Sequence, residues 1–269
     1  MSKTVKIMMY VTIIVVSLSA SLILLMCMPT CKYCGNKFCF GGCTIVYEDN
    51  REKSPNLTYG KKTNQPSTRL SSTKRANDSY LDKLTFIGDS RTVALKTHAN
   101  IPQNQIFAEN GLNHEQAMTD KVVKLQDYKS VTIPKAVETV APSIMIVNFG
   151  VNGVGWMSED TFMQSYETFI NEIMKRSPNS IVVIESIMPV SVNYDGTNKV
   201  TNDKIDRVND RLYELAKKKG LYYMATNEAL KNEYNALDSR FDSGDGLHYN
   251  KTAYEVIVDY FLTHAIIKK

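Results

Sequence analysis

A three-layer α/β/α sandwich around a central parallel sheet, of the flavodoxin-like kind, is predicted for residues 80–269 by three observations. Short runs such as Ser143-Ile144-Met145-Ile146-Val147-Asn148-Phe149 are apolar at successive positions, so both faces of the strand need cover. Stretches with apolar residues at helical spacing alternate with these runs. Proline and glycine mark the changeovers, as Pro142, Gly150 and Pro189 do. Strands separated by amphipathic helices are the pattern of a parallel sheet with crossover helices.

Residues 84–88 read as the first strand and 91–97 as the helix after it. Residues 105–108 form a short second strand, and 115–125 and 135–140 are expected to be helical. The run at 143–149 is the third strand. Within 159–175, Phe162, Tyr166, Phe169, Ile170 and Ile173 recur at helical spacing. Residues 180–187 form the next buried strand, which Pro189 stops. In 202–218, Ile205, Val208, Leu212 and Leu215 face inward; 221–225 is the last strand and 253–267 the closing helix. Sites in such sheets lie beyond the carboxyl ends of the strands. Ser90, Asn152 and the loop at 245–248 all fall there.

The N-terminal part is of another kind. From Ile7 to Met28 no residue is charged, and Lys3 and Lys6 precede the run. An apolar helix of that length crosses a hydrocarbon core of about 30 Å, and lysines on its leading side keep that end in the cytoplasm. Residues 1–28 are therefore expected to be a single-pass transmembrane anchor, with the rest of the chain exported across the cell membrane. A cleaved signal peptide is the alternative, with Ser19-Ala20-Ser21 as the small-residue cluster. A lipoprotein box at Leu25-Met26-Cys27 is the minor one.

All five cysteines lie between Cys27 and Cys43: Cys27 at the membrane edge and the other four in a juxtamembrane segment at 29–47. Cys31, Cys34, Cys39 and Cys43 suit two disulfides outside the cell. They are also a zinc-ligand set, and a collar with no specific role is the third reading. Residues 48–79 are poor in large apolar residues and rich in Lys, Arg, Asn, Ser and Thr, the composition of a flexible tether. The net charge is +4, with no dense basic stripe joined to aromatics, so nucleic-acid binding is not supported.

Chemistry concentrates in four places. Ser90 ends Phe86-Ile87-Gly88-Asp89-Ser90; Asp245-Gly246-Leu247-His248 lies far downstream. Serine is a poor nucleophile until a base takes its proton and a carboxylate holds that base in the right tautomer. Ser90, His248 and Asp245 supply those parts, in the chain order Ser, Asp, His. At a helix start, free N–H groups and the helix dipole favour an oxyanion on Ser90. Taken singly, Ser90 is equally an N-cap, Asn152-Gly153 and Asp245-Gly246 ordinary turns, and His248 a surface histidine. His98, His114 and His264 have no partner pattern.

Together the blocks Gly88-Asp89-Ser90, Glu109-Asn110-Gly111-Leu112, Gly150-Val151-Asn152-Gly153 and Asp245-Gly246-Leu247-His248 resemble the SGNH/GDSL hydrolase superfamily. The likeness spans Leu84 to the C-terminus. It implies an SGNH-type fold and a serine esterase with catalytic Ser90, His248 and Asp245. It also implies an oxyanion hole made of the Ser90 and Gly111 N–H groups and the Asn152 amide. Gly153 stands where Asp is commoner, which touches a local loop contact. No metal or cofactor is implied. Exported, tethered members imply an O-acylated, chiefly O-acetylated, cell-wall or surface carbohydrate as substrate. Trp156 is a candidate to stack on a sugar, and Arg91 to meet an anionic group, against the plainer readings of loop packing and a solvated face. A rim loop is expected at 190–199. Two other functions remain: an O-acyltransferase to a glycan acceptor, and an inactive tethered glycan-binding module.

Overall fold

The computed structural model describes residues 67–125, 129–194 and 200–266. The apolar segment at 7–28, the cysteines at 27–43 and the tether up to 66 lie outside the described residues. Among the described residues no helix is long and apolar enough to cross a membrane, and no group of His, Cys, Asp and Glu side chains is set to hold a metal.

Five parallel strands make the central sheet: β1 (Leu84–Gly88), β2 (Ile106–Ala108), β5 (Ile144–Asn148), β6 (Ile181–Glu185) and β7 (Tyr222–Met224), in the order β2-β1-β5-β6-β7. The order reverses after β2, which opens a crevice at the carboxyl ends of β1 and β5. Ile87 pairs with Val147, and Gly88 with Asn148. Side chains alternate between two cores. Ile87, Met145, Val147, Val182 and Ile184 face a core shared with α3 (Ile133–Val140), α5 (Glu159–Arg176) and α6 (Asn202–Lys219). Leu84, Phe86, Ile144, Ile146 and Val183 face the other, closed by α7 (Lys251–Thr263) through Tyr254, Ile257 and Phe261. Burial on both faces is why these strands read as unbroken apolar runs.

The four longest helices start on side-chain caps. Thr132, Ser158, Thr201 and Asn250 each accept a hydrogen bond from a backbone N–H of the first turn. Helix α6 ends on Gly220, at φ 66°, after three lysines that suit the negative end of its dipole.

Several expectations are corrected. The helix at 115–125 is absent: a single 3-10 turn at Gln116–Met118 precedes an antiparallel pair, β3 (Val123–Lys124) with β4 (Ser130–Val131). Asn113 accepts the N–H groups of Glu115 and Gln116 on its side chain and so caps this turn, after which the chain extends to pair Val123 with Val131. The helix at 91–97 is two short ones, α1 (Ser90–Val93) and α2 (Leu95–His98), joined at Ala94. The closing helix spans Lys251–Thr263.

The end of the expected tether is ordered too. Tyr223 N–H donates to Thr68 O at 2.7 Å, and Leu70 N–H to Tyr223 O at 2.9 Å, so this stretch lies along the free edge of β7. Thr73 and Ala76 N–H groups then reach the carbonyls of Thr263 and Leu262. An edge strand offers a row of unpaired backbone groups to any neighbouring chain, whatever its side chains.

Candidate active site

Gly88 ends β1 because nothing larger fits. A Cβ there would fall 2.4 Å from Asn148 O and 2.1 Å from Thr92 Oγ1. Asp89 follows as the N-cap of α1, its Oδ1 accepting the Arg91 N–H at 3.0 Å. Asp89 is 1% exposed; burial pushes its carboxyl up, against the pull of Arg91. Ser90 is the first residue of the four-residue α1, so the helix dipole there is that of one turn.

The loop after Asp242 brings the base. Asp242 Oδ1 accepts the N–H groups of Gly244 and Gly246, which sit at φ 111° and 73°. Left-handed backbone at these two positions is open to glycine at no steric cost. Asp245 Oδ1 accepts the N–H groups of Leu247 and His248 at 2.9 and 2.7 Å. Its Oδ2 lies 2.6 Å from His248 Nδ1. Burial pushes the Asp245 carboxyl up, but the hydrogen bonds from the His248 ring and the two N–H groups outweigh it and hold it at about 2. The carboxylate is therefore ionised at neutral pH and fixes the imidazole proton on Nδ1. Nε2 then turns its lone pair to Ser90 Oγ, 3.2 Å away. Ser90, His248 and Asp245 stand in one hydrogen-bonded line, able to pass a proton from hydroxyl to imidazole.

The loops after β2 and β5 flank this line. Gly111 turns the chain at φ 74°. Asn152, in α4 (Val151–Val154), donates one amide hydrogen to Leu112 O at 3.0 Å, which ties its loop to that of Gly111. The amide has a second hydrogen to offer. A Cβ at Gly153 would meet the Phe162 ring at 3.0 Å. The glycine at the commoner Asp position thus lets Phe162 and the buried His114 close under the loop. Trp156 is 60% exposed, and its indole N–H donates to Asn152 O at 2.6 Å.

Arg91 does not face the solvent or a substrate. It is 2% exposed and points down among backbone carbonyls. Residue type alone predicted an exposed guanidinium; the turn after β1 instead aims it at the carbonyls of Met188, Pro189 and Leu247.

One buried group was missed in the sequence, and a second, His114, was read there as having no partner pattern. Glu185 ends β6, fully enclosed with Oε1 unpartnered. Burial pushes it up to about 7, with the Asp89 charge adding and Thr226 and Asn148 opposing. An acid closing an otherwise apolar strand was the available signal. His114 is wholly buried, 2.7 Å from Ser165 Oγ, and burial lowers it to about 4. A groove of about 490 Å³, lined by Ser191, Asn193, Asn232, Ser239 and Asp242, opens beside Asp245. Residues 195–199 of the expected rim loop lie outside the described residues; Val192 at its start is 64% exposed.

A parallel sheet with Ser90 and His248 facing each other at its carboxyl edge has the layout of an α/β-type hydrolase. The chain belongs to the GDSL-like lipase/acylhydrolase family, whose model matches residues 86–256. It is an enzyme of the esterase class. No curated protein matches the sequence. Among solved structures, a GDSL-like lipase from Bacteroides thetaiotaomicron is similar at TM-score 0.54 and 16% identity, over 73% of this chain and 88% of that one. A lipase/acylhydrolase from Enterococcus faecalis is similar at TM-score 0.51 and 16% identity, over 66% of this chain and 92% of that one. At these identities the likeness is one of fold.

Proposed function

We propose that this protein is a serine esterase that removes O-acyl groups, chiefly O-acetyl, from carbohydrate through an acyl-enzyme on Ser90. The observation that carries the reading is the line from Ser90 Oγ to His248 Nε2 at 3.2 Å and from His248 Nδ1 to Asp245 at 2.6 Å. Ser90 Oγ attacks the ester carbonyl carbon as its proton passes to His248 Nε2. The carbonyl oxygen becomes an oxyanion, for which the Ser90 and Gly111 N–H groups and the Asn152 amide are the donors. The C–O bond to the sugar oxygen breaks, and His248 returns the proton to that oxygen. Water repeats the sequence on the acyl-enzyme and frees the acid and Ser90.

The carbohydrate step is supported by the exposed Trp156 ring, whose polar edge is already bonded, leaving the faces for a sugar. It is supported too by the groove beside Asp245, where Ser191, Asn193, Asn232 and Ser239 offer hydroxyl and amide groups alongside the Asp242 carboxylate. The apolar run at 7–28 favours a single-pass anchor with the domain outside the cell membrane.

A chromogenic acetyl ester and an O-acetylated glycan test the reading together. Turnover of both by the wild type, lost in Ser90→Ala along with fluorophosphonate labelling, is expected. Labelling that survives in Ser90→Ala would sink the assignment of the nucleophile. Trp156→Ala is expected to raise KM for the glycan several-fold and leave the small ester unchanged; equal effects on both would remove the sugar role.

A further inference from the structure

Arg91 is a guanidinium buried at the base of the site, and the acyl-transfer steps above do not use it. Its Nη1 donates to Met188 O at 2.8 Å. Its Nη2 donates to Leu247 O at 3.1 Å and to Pro189 O at 3.3 Å, and its Nε to Leu247 O at 3.3 Å. The guanidinium lies over the Tyr249 ring, 4.8 Å from the centroid. The Tyr249 hydroxyl donates to the same Pro189 carbonyl at 2.8 Å, and the Tyr254 hydroxyl to Arg91 O at 2.8 Å. One side chain therefore joins three segments: the turn after β1, the stretch after β6 and the loop carrying Asp245 and His248.

The sequence positions give this clamp its meaning. Arg91 follows Ser90, and Leu247 precedes His248. The Arg91–Leu247 hydrogen bonds thus connect the nucleophile to the base one residue away on each side. That base rides on a loop with two left-handed glycines, and Asp245 and His248 side chains are each about half exposed. Apart from Arg91, two bonds tie this loop to the stretch after β6: Ser191 N–H to Gly246 O at 2.8 Å, and the Tyr249 hydroxyl to Pro189 O at 2.8 Å. A planar group with several N–H donors in fixed directions holds three carbonyls at set positions; a lysine ammonium, with three donors at one point on a flexible stem, does not fix their spacing.

We propose that Arg91 is a positioning residue: by clamping Leu247 O to the nucleophile turn it sets the separation of Ser90 and His248. The proposal rests on the triad reading above. Misplacing reacting groups by about 1 Å costs on the order of a hundredfold in rate. Loss of the clamp acts on kcat, because no part of Arg91 reaches the substrate.

The test is a double-mutant cycle on the chromogenic acetyl ester, with thermal melts of each variant. Arg91→Met is expected to lower kcat about a hundredfold with KM held within about twofold. Arg91→Lys keeps a positive charge near Asp89, so it is the variant that folds if Arg91→Met does not; its kcat is expected to fall at least about tenfold. In the His248→Ala background either change is expected to add less than about twofold, since there is no base left to position. Wild-type kcat in Arg91→Lys, or the same fold loss with and without His248, would overturn the clamp. Wild-type turnover by His248→Ala alone would instead overturn the triad reading.

Discussion

The side-chain amide of Asn152 donates to the carbonyl of Leu112 at 3.0 Å, so the residue expected to stabilise an oxyanion also fastens the loop that carries Gly111. Two of the three proposed donors are thereby coupled. Asn152→Ala removes one donor and frees the other's loop. A drop of about 10²–10³ in kcat is expected from the lost donor alone. Asn152→Asp is expected to be no better, because an ionised carboxylate only accepts. Steady-state kinetics on a short ester check this; near-wild-type kcat in both variants would take Asn152 out of the oxyanion hole.

Asp245 offers a cleaner cut. Asp245→Asn keeps the size and two of the loop's acceptor contacts but no longer holds the imidazole proton on Nδ1. A kcat loss of about 10³–10⁴ with little change in thermal midpoint is expected. A loss within tenfold would mean that His248 keeps its tautomer by other means.

Gly88 is the tightest point of the fold at the site. Gly88→Ala sets a methyl 2.4 Å from the Asn148 carbonyl, a backbone atom of the neighbouring strand. Strands β1 and β5 must part or the turn must shift, at about 3 kcal/mol or more. Urea unfolding measures it. A midpoint equal to wild type would show that the turn tolerates the shift.

Stability depends on pH through two buried groups of opposite sense. Glu185 rises from 4.5 to about 7 on folding. Its contribution is complete below pH 4.5 and is lost as pH rises through 7, a loss of about 3 kcal/mol. Glu185→Gln cannot ionise, so relative to it the wild type is expected to weaken between pH 4.5 and about 7, the span of those two values. His114 falls from 6.5 to about 4. Its contribution is present above 6.5 and lost as pH falls through 4, so acid weakens the fold as this ring is forced to charge. Denaturant midpoints across the range check both. Parallel curves for wild type and Glu185→Gln would exclude the carboxyl as the source of the alkaline limb.

The strands and long helices were legible because their signal is local. The apolar run at 143–149 and the helical spacing of Phe162, Tyr166, Phe169, Ile170 and Ile173 each record which faces are covered. The stretch 115–125 misled, because its end pairs with Ser130 and Val131, and a periodicity read within the stretch does not report a partner outside it. The order at 68–76 was hidden for a like reason: backbone groups of β7 and α7 recruit it, and composition counts only side chains.

By itself the sequence determined the alternation of covered strands and amphipathic helices, and the chain order of Ser90, Gly111, Asn152, Asp245 and His248. Both are written in neighbouring residues, where spacing and residue type suffice. Only the tertiary structure decided that Ser90 Oγ lies 3.2 Å from His248 Nε2, that Arg91 turns inward to carbonyls, and that Glu185 and His114 are buried. Such distances and burials depend on what distant segments bring to the same edge of the sheet, and a residue's own neighbours in the chain do not encode that.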